Sequence, residues 1–329
     1  MTMKWDAKRV LVTGAGGFVG SHLTERLVDL GARTRAFVQY NSRGERGWLE
    51  HSSRRARIEF IAGDVRDPEC VHRAMKDIDI VFHLAALIAI PYSYEAPASY
   101  VETNIGGTLN VLQSARTLGV SRVLHTSTSE VYGTALRVPI DESHPLRAQS
   151  PYSATKIGAD KLVESFHLSY GLPVVTVRPF NTFGPRQSSR AIIPTILSQA
   201  LKGGRVRLGS LAPTRDLNFV SNTVDGFVLA AEAEGALGRT INLGSNREIS
   251  IGNLAGLIGS LLGLELEIDL DRQRLRPEKS EVERLLADNT LARQILAWEP
   301  KVTLEQGLQQ TIEWMRHHTD DYRPDSYTV

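Results

Sequence analysis

A short run of glycines near the start of the chain constrains the fold more than any other feature. The segment Arg-Val-Leu-Val-Thr at residues 9–13 is followed at once by Gly-Ala-Gly-Gly-Phe-Val-Gly at 14–20, and residues 21–30 then repeat leucine with a helical period. The glycines permit a tight turn and the close approach of the backbone to a pyrophosphate, and the following helix offers N–H groups and a positive dipole to that anion. A glycine cluster alone is consistent with an ordinary turn, but strand, glycine turn and helix in this order predict a dinucleotide-binding unit.

Strands and helices alternate through the first half of the chain. Apolar strands are predicted at residues 34–38, 58–61, 80–84 and 122–125. The run at 80–84 is continuously apolar, which is typical of a parallel strand covered on both faces, and His83 within it is predicted to be packed and not catalytic. The alternation predicts an α/β fold with a doubly wound parallel sheet, in which ligands bind at the C-terminal ends of the strands.

The end of the second predicted strand bears on the choice of cofactor. Folds that prefer NAD usually carry an acid here to hold the adenosine ribose, but this chain has Gln39 and no acid, followed by Asn41 and Arg43. Arg43 could contact a 2′-phosphate or lie in solvent, so NAD and NADP both remain open. Asp64 and Val65 follow the third strand and are predicted to meet the adenine, with a simple Asx turn as the alternative.

The segment at residues 125–156 carries the candidate chemistry. It reads His-Thr-Ser-Thr-Ser-Glu-Val-Tyr-Gly from residue 125 and, after a polar loop, Ser-Pro-Tyr-Ser-Ala-Thr-Lys from residue 150. Tyr152 and Lys156 are four residues apart and therefore share one face of a helix. A lysine ammonium beside a phenol would lower the tyrosine pKa, so Tyr152 is predicted to act as a base near neutral pH.

Composition excludes several classes of partner. The chain has 329 residues with a formal net charge of +1, so it offers no basic footprint for nucleic acid or an anionic membrane surface. No apolar run approaches the roughly 20 residues of a membrane span. The single cysteine, Cys70, is predicted to be a small buried residue in a reducing compartment, and a cytoplasmic location is expected. The sequence shows no cluster of metal ligands, and we expect the end of the chain from about His317 to be loose.

Taken together, these motifs resemble the extended short-chain dehydrogenase/reductase superfamily of nucleotide-sugar epimerases, dehydratases and decarboxylases. The resemblance covers about residues 8–315. It implies a Rossmann fold with a smaller C-terminal α/β substrate-binding domain, and a tightly bound NAD or NADP that is regenerated in each turnover. The matching motifs are Gly14 to Gly20, Asp64, His-Leu-Ala-Ala at 83–86, Ser127 to Glu130, Tyr152 with Lys156, and Arg-Pro-Phe-Asn-Thr-Phe-Gly-Pro-Arg at 178–186.

The resemblance also implies the residues of the site. The expected catalytic residues are Thr128, Ser129, Glu130, Tyr152 and Lys156. The expected cofactor contacts are Gly14, Gly17, Phe18, Val19, Gly20, Asn41, Arg43, Asp64, Val65, Leu84, Ala85, Ala86, Asn104, Ser127, Tyr152 and Lys156. Asn104 is expected to hydrogen-bond the backbone of the catalytic strand. The expected substrate contacts are Thr128, Asn181, Arg190, Leu208, Arg215, Val220 and Arg276. Of these, Arg215 and Arg276 are expected to bind the nucleotide phosphates. The alternative for Arg276 is that it is one more charged residue in a solvated run.

The string Thr128-Ser129-Glu130 resembles the sugar-nucleotide 4,6-dehydratases. Oxidation at C4 of the hexose acidifies the C5 hydrogen, a carboxylate at Glu130 can remove it, water leaves from C6, and hydride returns to C6. Wider similarity at residues 86–94, 149–152, 190–194 and 274–284 favours dehydratases that act on nucleotide-linked N-acetylglucosamine, at the start of legionaminic-acid and bacillosamine-type routes. A UDP-glucuronate decarboxylase, a 4-epimerase, and a cofactor-binding sensor without turnover are the alternatives.

Organisation follows from the same resemblance. Residues 1–180 are expected to form mainly the dinucleotide-binding domain and residues 181–329 mainly the nucleotide-sugar-binding domain, with a segment near 217–245 returning to the sheet. Two helices, near residues 104–118 and 152–170, are expected to pair with a second subunit as a four-helix bundle, giving a homodimer. Near the C-terminus, Trp298-Glu-Pro300 resembles a closing Gly-Trp-x-Pro turn in which Ala297 replaces the glycine.

Overall fold

A computed structural model of the chain describes residues 3–322. The strands, in chain order, are β1 (Arg9–Thr13), β2 (Arg33–Gln39), β3 (Ile58–Gly63), β4 (Ile80–His83), β5 (Arg122–Thr126), β6 (Val174–Pro179), β7 (Asn181–Phe183), β8 (Arg205–Leu208), β9 (Thr214–Phe219), β10 (Thr240–Leu243), β11 (Glu248–Ser250) and β12 (Glu267–Leu270). The α-helices are α1 (Phe18–Asp29), α2 (Pro68–Met75), α3 (Ile90–Glu95), α4 (Pro97–Tyr100), α5 (Gly107–Leu118), α6 (Pro151–Tyr170), α7 (Ile192–Gly203), α8 (Val220–Glu232), α9 (Ile251–Leu262), α10 (Thr290–Leu296) and α11 (Leu304–Arg316).

A seven-stranded sheet forms the centre of the molecule, in the order β10-β6-β5-β4-β1-β2-β3. All its strands pair in parallel. The strand order reverses between β1 and β4, which is the crevice where such sheets bind ligands. The predicted doubly wound fold is confirmed.

Both faces of this sheet are covered by helices, as its apolar strands require. Alternate residues of β1 point to opposite sides: Val10 and Val12 lie in a core with the leucines of α1 and with α8. Leu11 lies in a second core with α2, α5 and α6. This two-sided burial explains why the central strands read as continuous apolar runs in the sequence.

The second half of the chain adds two small sheets. One contains β11, β9 and β7, and the other pairs β12 with β8. β10 lies beside β6 in the main sheet, so the chain does return there after α8. The predicted division into two domains near residue 180 stays a prediction.

The end of the described chain is ordered against α11. The prediction of a loose end from His317 is wrong as far as Tyr322, whose ring is buried beside Trp314 and whose hydroxyl donates to the Gln187 carbonyl oxygen at 2.8 Å. The remainder of that prediction lies outside the described residues. Within residues 3–322, none of the helices combines the length and apolar character needed to cross a bilayer.

Candidate active site

The glycine turn after β1 forms an anion cradle at the N-terminus of α1. Gly14 has a left-handed φ of 69°, and a Cβ added there would lie 2.9 Å from the Ala85 backbone nitrogen. A Cβ on Gly20 would collide with the Gly14 carbonyl oxygen. In the described part of the chain no acceptor pairs with the N–H groups of Phe18, Val19 and Gly20. Three unpaired donors at a helix N-terminus, with no side chain in the way, fit a dinucleotide pyrophosphate.

The loop after β2 is closed by Asn41. Its carboxamide oxygen accepts from the backbone N–H groups of Arg43 and Glu45, both at 3.1 Å. Arg43 itself is 81% exposed and approaches only Glu45, at 3.5 Å. The end of β2 therefore presents one exposed guanidinium four residues beyond Gln39, and the choice between NAD and NADP stays a prediction.

Asp64 forms the Asx turn that was its alternative interpretation. Its side chain accepts from the Arg66 backbone N–H at 2.9 Å and pairs with the Arg66 guanidinium at 2.6 Å. The hydrogen bond from Arg66 holds the pKa of Asp64 below its usual value. Val65 is buried against Gly107. An Asx turn does not exclude an adenine contact, and that contact stays a prediction for both residues.

His83 is packed, as predicted. Its two ring nitrogens lie 2.8 Å from the Thr13 hydroxyl and 3.1 Å from the Thr108 hydroxyl. The Thr13 oxygen also accepts from the backbone N–H groups of Leu84 and Ala85, both at 3.1 Å. These bonds fix the loop after β4, which runs past the glycine turn. Cys70 is buried, again as predicted.

Asn104 does not bond the catalytic strand, so that prediction is wrong. It lies in a π-helical turn, Val101–Gly106, which runs directly into α5. Its carboxamide accepts from Leu87 N at 2.8 Å and donates to the Leu87 carbonyl oxygen at 3.0 Å and to the Thr155 hydroxyl at 3.0 Å. The wider π turn brings the buried side chain between the loop after β4 and α6, so Asn104 links those two elements. Its predicted cofactor contact is not tested by these bonds.

The catalytic segment follows β5 and faces α6. Thr128 caps a 3-10 turn, Ser129–Tyr132, by accepting from the Glu130 N–H at 3.2 Å. α6 begins with a capping box at Ser150 and a proline at its first position, which fixes the helix start one residue before Tyr152. The Thr126 carbonyl oxygen accepts from Lys156 at 2.6 Å, and the Ser127 hydroxyl donates to Asp160 at 2.7 Å. The end of β5 and the face of α6 that bears the predicted catalytic residues thus lie together.

The pKa of Tyr152 is raised, so the predicted lowering by Lys156 is wrong for this structure. Burial is the largest cause, and the negative charge of Glu130 adds to it, while the hydrogen bond with Thr128 acts the other way. The Lys156 ammonium instead donates to the Thr126 carbonyl oxygen at 2.6 Å. Burial lowers the pKa of Lys156 to about 8, against the opposing charge of Asp160.

Glu130 interacts electrostatically with Tyr152 and with an arginine from the second half of the chain. It is only 9% exposed. Its charge raises the pKa of Tyr152 and supports the ionised form of Arg215. Among the residues that the structure describes, no side chain donates a hydrogen bond to the Glu130 carboxylate. A buried carboxylate with free lone pairs beside a phenol is suited to accept a proton.

Arg215 and Arg276, predicted to hold phosphates, meet at one carboxylate. Glu281 lies 3.1 Å from an Arg215 guanidinium nitrogen and 3.6 Å from one of Arg276. Nearby in the fold, β7 begins with Asn181, whose side-chain oxygen is buried without a hydrogen-bond partner in residues 3–322. Two convergent arginines and an unpaired polar atom fit a ligand that carries phosphates and hydroxyl groups.

The other predicted substrate residues are less directly placed. Arg190 donates to Ser188 at 3.3 Å, and its charge favours the ionised form of Tyr100. The Tyr100 ring packs edge-on to Tyr152 at 6.3 Å between centroids. Leu208 and Val220 are buried, and their predicted contact with a base stays a prediction.

Several residues of the site were not found from the sequence. Asp160 accepts hydrogen bonds from His125, Ser127 and Arg178, directly behind the catalytic segment. Asp160 is four residues after Lys156, so continuing the helical spacing by one step would have identified it. Gln149 was also missed as a contact. It donates to the carbonyl oxygens of Lys279 and Glu281, both at 3.1 Å, and so joins the start of α6 to the segment that carries Arg276.

Comparison with known proteins agrees with this geometry. The sequence profile of the family described as GDP-mannose 4,6 dehydratase matches residues 11–311. The chain belongs to this family.

The proteins that are similar to this chain differ in activity. A UDP-glucose 4-epimerase of Mycolicibacterium smegmatis is 33% identical over 94% of this chain and 99% of that protein. A dTDP-glucose 4,6-dehydratase of Xanthomonas campestris is 32% identical over 92% of each chain. A crystal structure of a dTDP-glucose 4,6-dehydratase from Streptomyces venezuelae with NAD bound has a TM-score of 0.86 at 30% identity and covers 96% of this chain and 99% of its own. The chain is thus an enzyme of the nucleotide-sugar epimerase and dehydratase family, and the resemblance to the superfamily is confirmed.

Proposed function

We propose that the protein is an NAD(P)-dependent nucleotide-sugar 4,6-dehydratase acting on a nucleotide-linked N-acetylglucosamine. The observation that supports this proposal is the buried carboxylate of Glu130 in the 3-10 turn that follows β5. Its charge acts on both Tyr152 and Arg215. A dehydratase needs a base for C5 at this point, whereas an epimerase does not.

The first step uses Thr128, Tyr152 and Lys156. Tyr152 takes the proton of the C4 hydroxyl, and the Thr128 hydroxyl favours the ionised phenol. Because burial raises its pKa, the phenol needs a positive charge nearby to ionise, and a turn of the Lys156 side chain from the Thr126 carbonyl towards the ring would supply it. A nicotinamide cofactor, held at the cradle formed by Phe18, Val19 and Gly20, would supply the hydride chemistry at C4 and C6.

The second step uses Glu130. The C4 ketone acidifies the C5 hydrogen, and Glu130 takes that proton while water leaves from C6. The leaving hydroxyl needs a proton, which Glu130 can return directly or through the neighbouring Ser129. Both residues are buried in the same 3-10 turn. A single carboxylate can serve both transfers because the proton gained at C5 equals the proton needed by the hydroxyl that leaves C6. Addition of hydride at C6 would leave an enolate, which takes one proton back at C5; the proton that Tyr152 removed from the C4 hydroxyl balances it.

Substrate binding uses the second half of the chain. Arg215 and Arg276 would exchange Glu281 for the two phosphates, and Asn181 would gain a partner for its buried oxygen. The pyrophosphate of the cofactor would occupy the separate cradle at Phe18, Val19 and Gly20.

Product mass tests the proposal. Purified protein is incubated with UDP-N-acetylglucosamine and, in parallel, with GDP-, CDP- and dTDP-linked hexoses and UDP-glucuronate. Loss of one water from a hexose substrate supports the dehydratase. Loss of carbon dioxide from UDP-glucuronate would identify a decarboxylase, an isomeric product of equal mass would identify an epimerase, and no product from any of them would leave a sensor.

We also propose a homodimer through α5 and α6. In the described structure Val163 and Phe166 of α6 are buried in the core of the chain itself, while Leu168 is 77% exposed and Tyr170 is 55% exposed. The apolar surface available to a partner on α6 is therefore at its C-terminal end. Light scattering of the purified protein tests this, and a monomer at micromolar concentration would contradict it.

A further inference from the structure

A buried carboxylate continues the catalytic face of α6. Tyr152, Lys156 and Asp160 are spaced by four residues and therefore lie in one row along the helix. Asp160 is only 6% exposed, and the proposed reaction gives it no proton to move. Burial of a charged carboxylate costs free energy, so the position of Asp160 requires an explanation other than proton transfer.

Asp160 and its two neighbours in this row bind the end of β5 residue by residue. Asp160 accepts from His125 Nε2 at 3.0 Å and from the Ser127 hydroxyl at 2.7 Å. Between these two, the Thr126 carbonyl oxygen accepts from Lys156 at 2.6 Å. Three consecutive residues, 125–127, are thus fixed to one face of α6, shortly before Glu130.

The same carboxylate also acts on the far side of the Glu130 turn, through Arg178. Arg178 donates to Asp160 at 2.7 Å and to the Tyr132 hydroxyl at 2.8 Å. Tyr132 is the last residue of the 3-10 turn that contains Glu130. Asp160 therefore holds that turn at both ends, by Ser127 on one side and by Arg178 and Tyr132 on the other.

Within residues 3–322, the titratable groups around Asp160 come from five elements, counting the 3-10 turn that carries Glu130. His125 comes from β5, Arg178 from β6 and Lys156 from α6, and His83 of β4 lies beside His125 with ring centroids 6.0 Å apart. Burial lowers the pKa of both histidines, so neither adds positive charge near neutral pH. Tyr152 and Glu130 complete the set. The negative charge of Asp160 opposes the lowering of the Lys156 pKa by burial, and it adds to the rise in the pKa of Tyr152.

We propose that Asp160 is a positioning residue of the active site, which fixes the segment 125–127 and the turn that carries Glu130 against the α6 face that bears Tyr152 and Lys156. This inference rests on the proposed function only for C4 oxidation, the step that the dehydratase shares with its alternatives.

Asp160→Asn tests the inference with the holoenzyme and whichever nucleotide sugar the unchanged enzyme oxidises. The readout is the reduced-cofactor absorbance in a single turnover, measured against pH. We expect the rate to fall about 10²-fold, as for a small misplacement of reacting groups. We expect KM to change less than about twofold, since no substrate contact is removed. Both limbs of the pH profile should move down by about one unit, because one nearby negative charge is lost. Asp160→Glu, which restores the charge, should return the pH profile towards that of the unchanged enzyme.

Two further variants separate positioning from general stability. If Asp160→Asn leaves Arg178 unpaired and the protein fails to fold, the neutral pair Asp160→Asn with Arg178→Gln removes the buried cation and permits the same measurement. Glu234→Gln is the matched control. It removes the 2.6 Å ionic partner of another buried arginine, Arg122, at the opposite end of β5, and should leave the pH profile unchanged.

A folded Asp160→Asn enzyme with the original rate and pH profile would overturn the inference. So would a lower rate with unshifted pH limbs that Asp160→Glu does not improve, because that result indicates a structural role alone. The assignment as a dehydratase fails separately, when the unchanged enzyme reduces its cofactor but releases no product lighter by one water.

Discussion

Replacement of Glu130 by glutamine separates the two halves of the proposed reaction. Glutamine has nearly the same shape, so the 3-10 turn and the hydrogen bond between its backbone N–H and Thr128 should persist. The carboxylate is lost as a base, and general acid–base catalysis by one side chain is worth typically 10²–10⁴-fold in rate. We therefore expect elimination to slow by that factor, a barrier increase of about 3–5 kcal/mol.

The first step should respond in the opposite direction. The Glu130 charge raises the pKa of Tyr152, so its removal makes the phenol easier to ionise and should not slow C4 oxidation. Reduced cofactor should then accumulate, because hydride can return to C6 only after water has left.

The assay is stopped-flow absorbance of the reduced nicotinamide together with product mass. Glu232→Gln is a suitable control, since that carboxylate accepts from the Trp5 indole at 2.7 Å and touches none of the site residues. Normal dehydration by Glu130→Gln would remove this residue from the mechanism. Loss of both steps without accumulation of reduced cofactor would also refute the reasoning.

Three further outcomes follow from individual contacts. Tyr152→Phe should lower the rate of the first hydride step by at least about 10²-fold. Formation of reduced cofactor at the usual rate would contradict this. Asp216→Asn should lower the free energy of unfolding by about 2–3 kcal/mol in urea titrations. One carboxylate oxygen accepts from Ser245 N and Oγ and the other from Asn246 N and Ala287 N, so either orientation of an amide places its NH₂ against N–H groups. Unchanged stability would be inconsistent with those bonds. Ala297→Gly should raise the unfolding free energy by about 0.5–1 kcal/mol, since Ala297 is exposed at a left-handed φ of 51°, and a lower melting temperature would show that this backbone is not strained.

Local sequence predicted the elements whose structure depends on neighbours in the chain. The glycine turn and α1 form as expected because strand, turn and helix start are all specified within residues 9–20. The sequence also shows alanine at position 297, where the resemblance leads one to expect glycine. Ala297 is the C-cap of α10 and takes the left-handed conformation that such a position favours. Such features need no knowledge of distant contacts.

Electrostatics and long-range contacts could not be predicted from spacing alone. Helical spacing placed Lys156 near Tyr152, but the effect of the ammonium depends on where the lysine side chain points, and the Thr126 carbonyl on another element holds it. Asn104 was assigned the wrong partner for a similar reason: its observed partners, Leu87 and Thr155, lie on other elements of the fold. The bonds of Arg178 to Asp160 and Tyr132 join residues far apart in sequence, so no local pattern predicts them.

The two halves of the site are joined in a way that links substrate binding to catalysis. Gln149 lies two residues before α6, and its carboxamide bonds both Thr134, beyond the Glu130 turn, and the backbone of Glu281. Glu281 in turn pairs with Arg215, whose charge also interacts with Glu130. In the proposed reaction, phosphates that displace Glu281 from Arg215 would change the charge that acts on Glu130, while Gln149 keeps the backbone of both segments in place. A substrate that lacks the diphosphate should consequently lose rate as well as affinity, because the same arginine serves both sites.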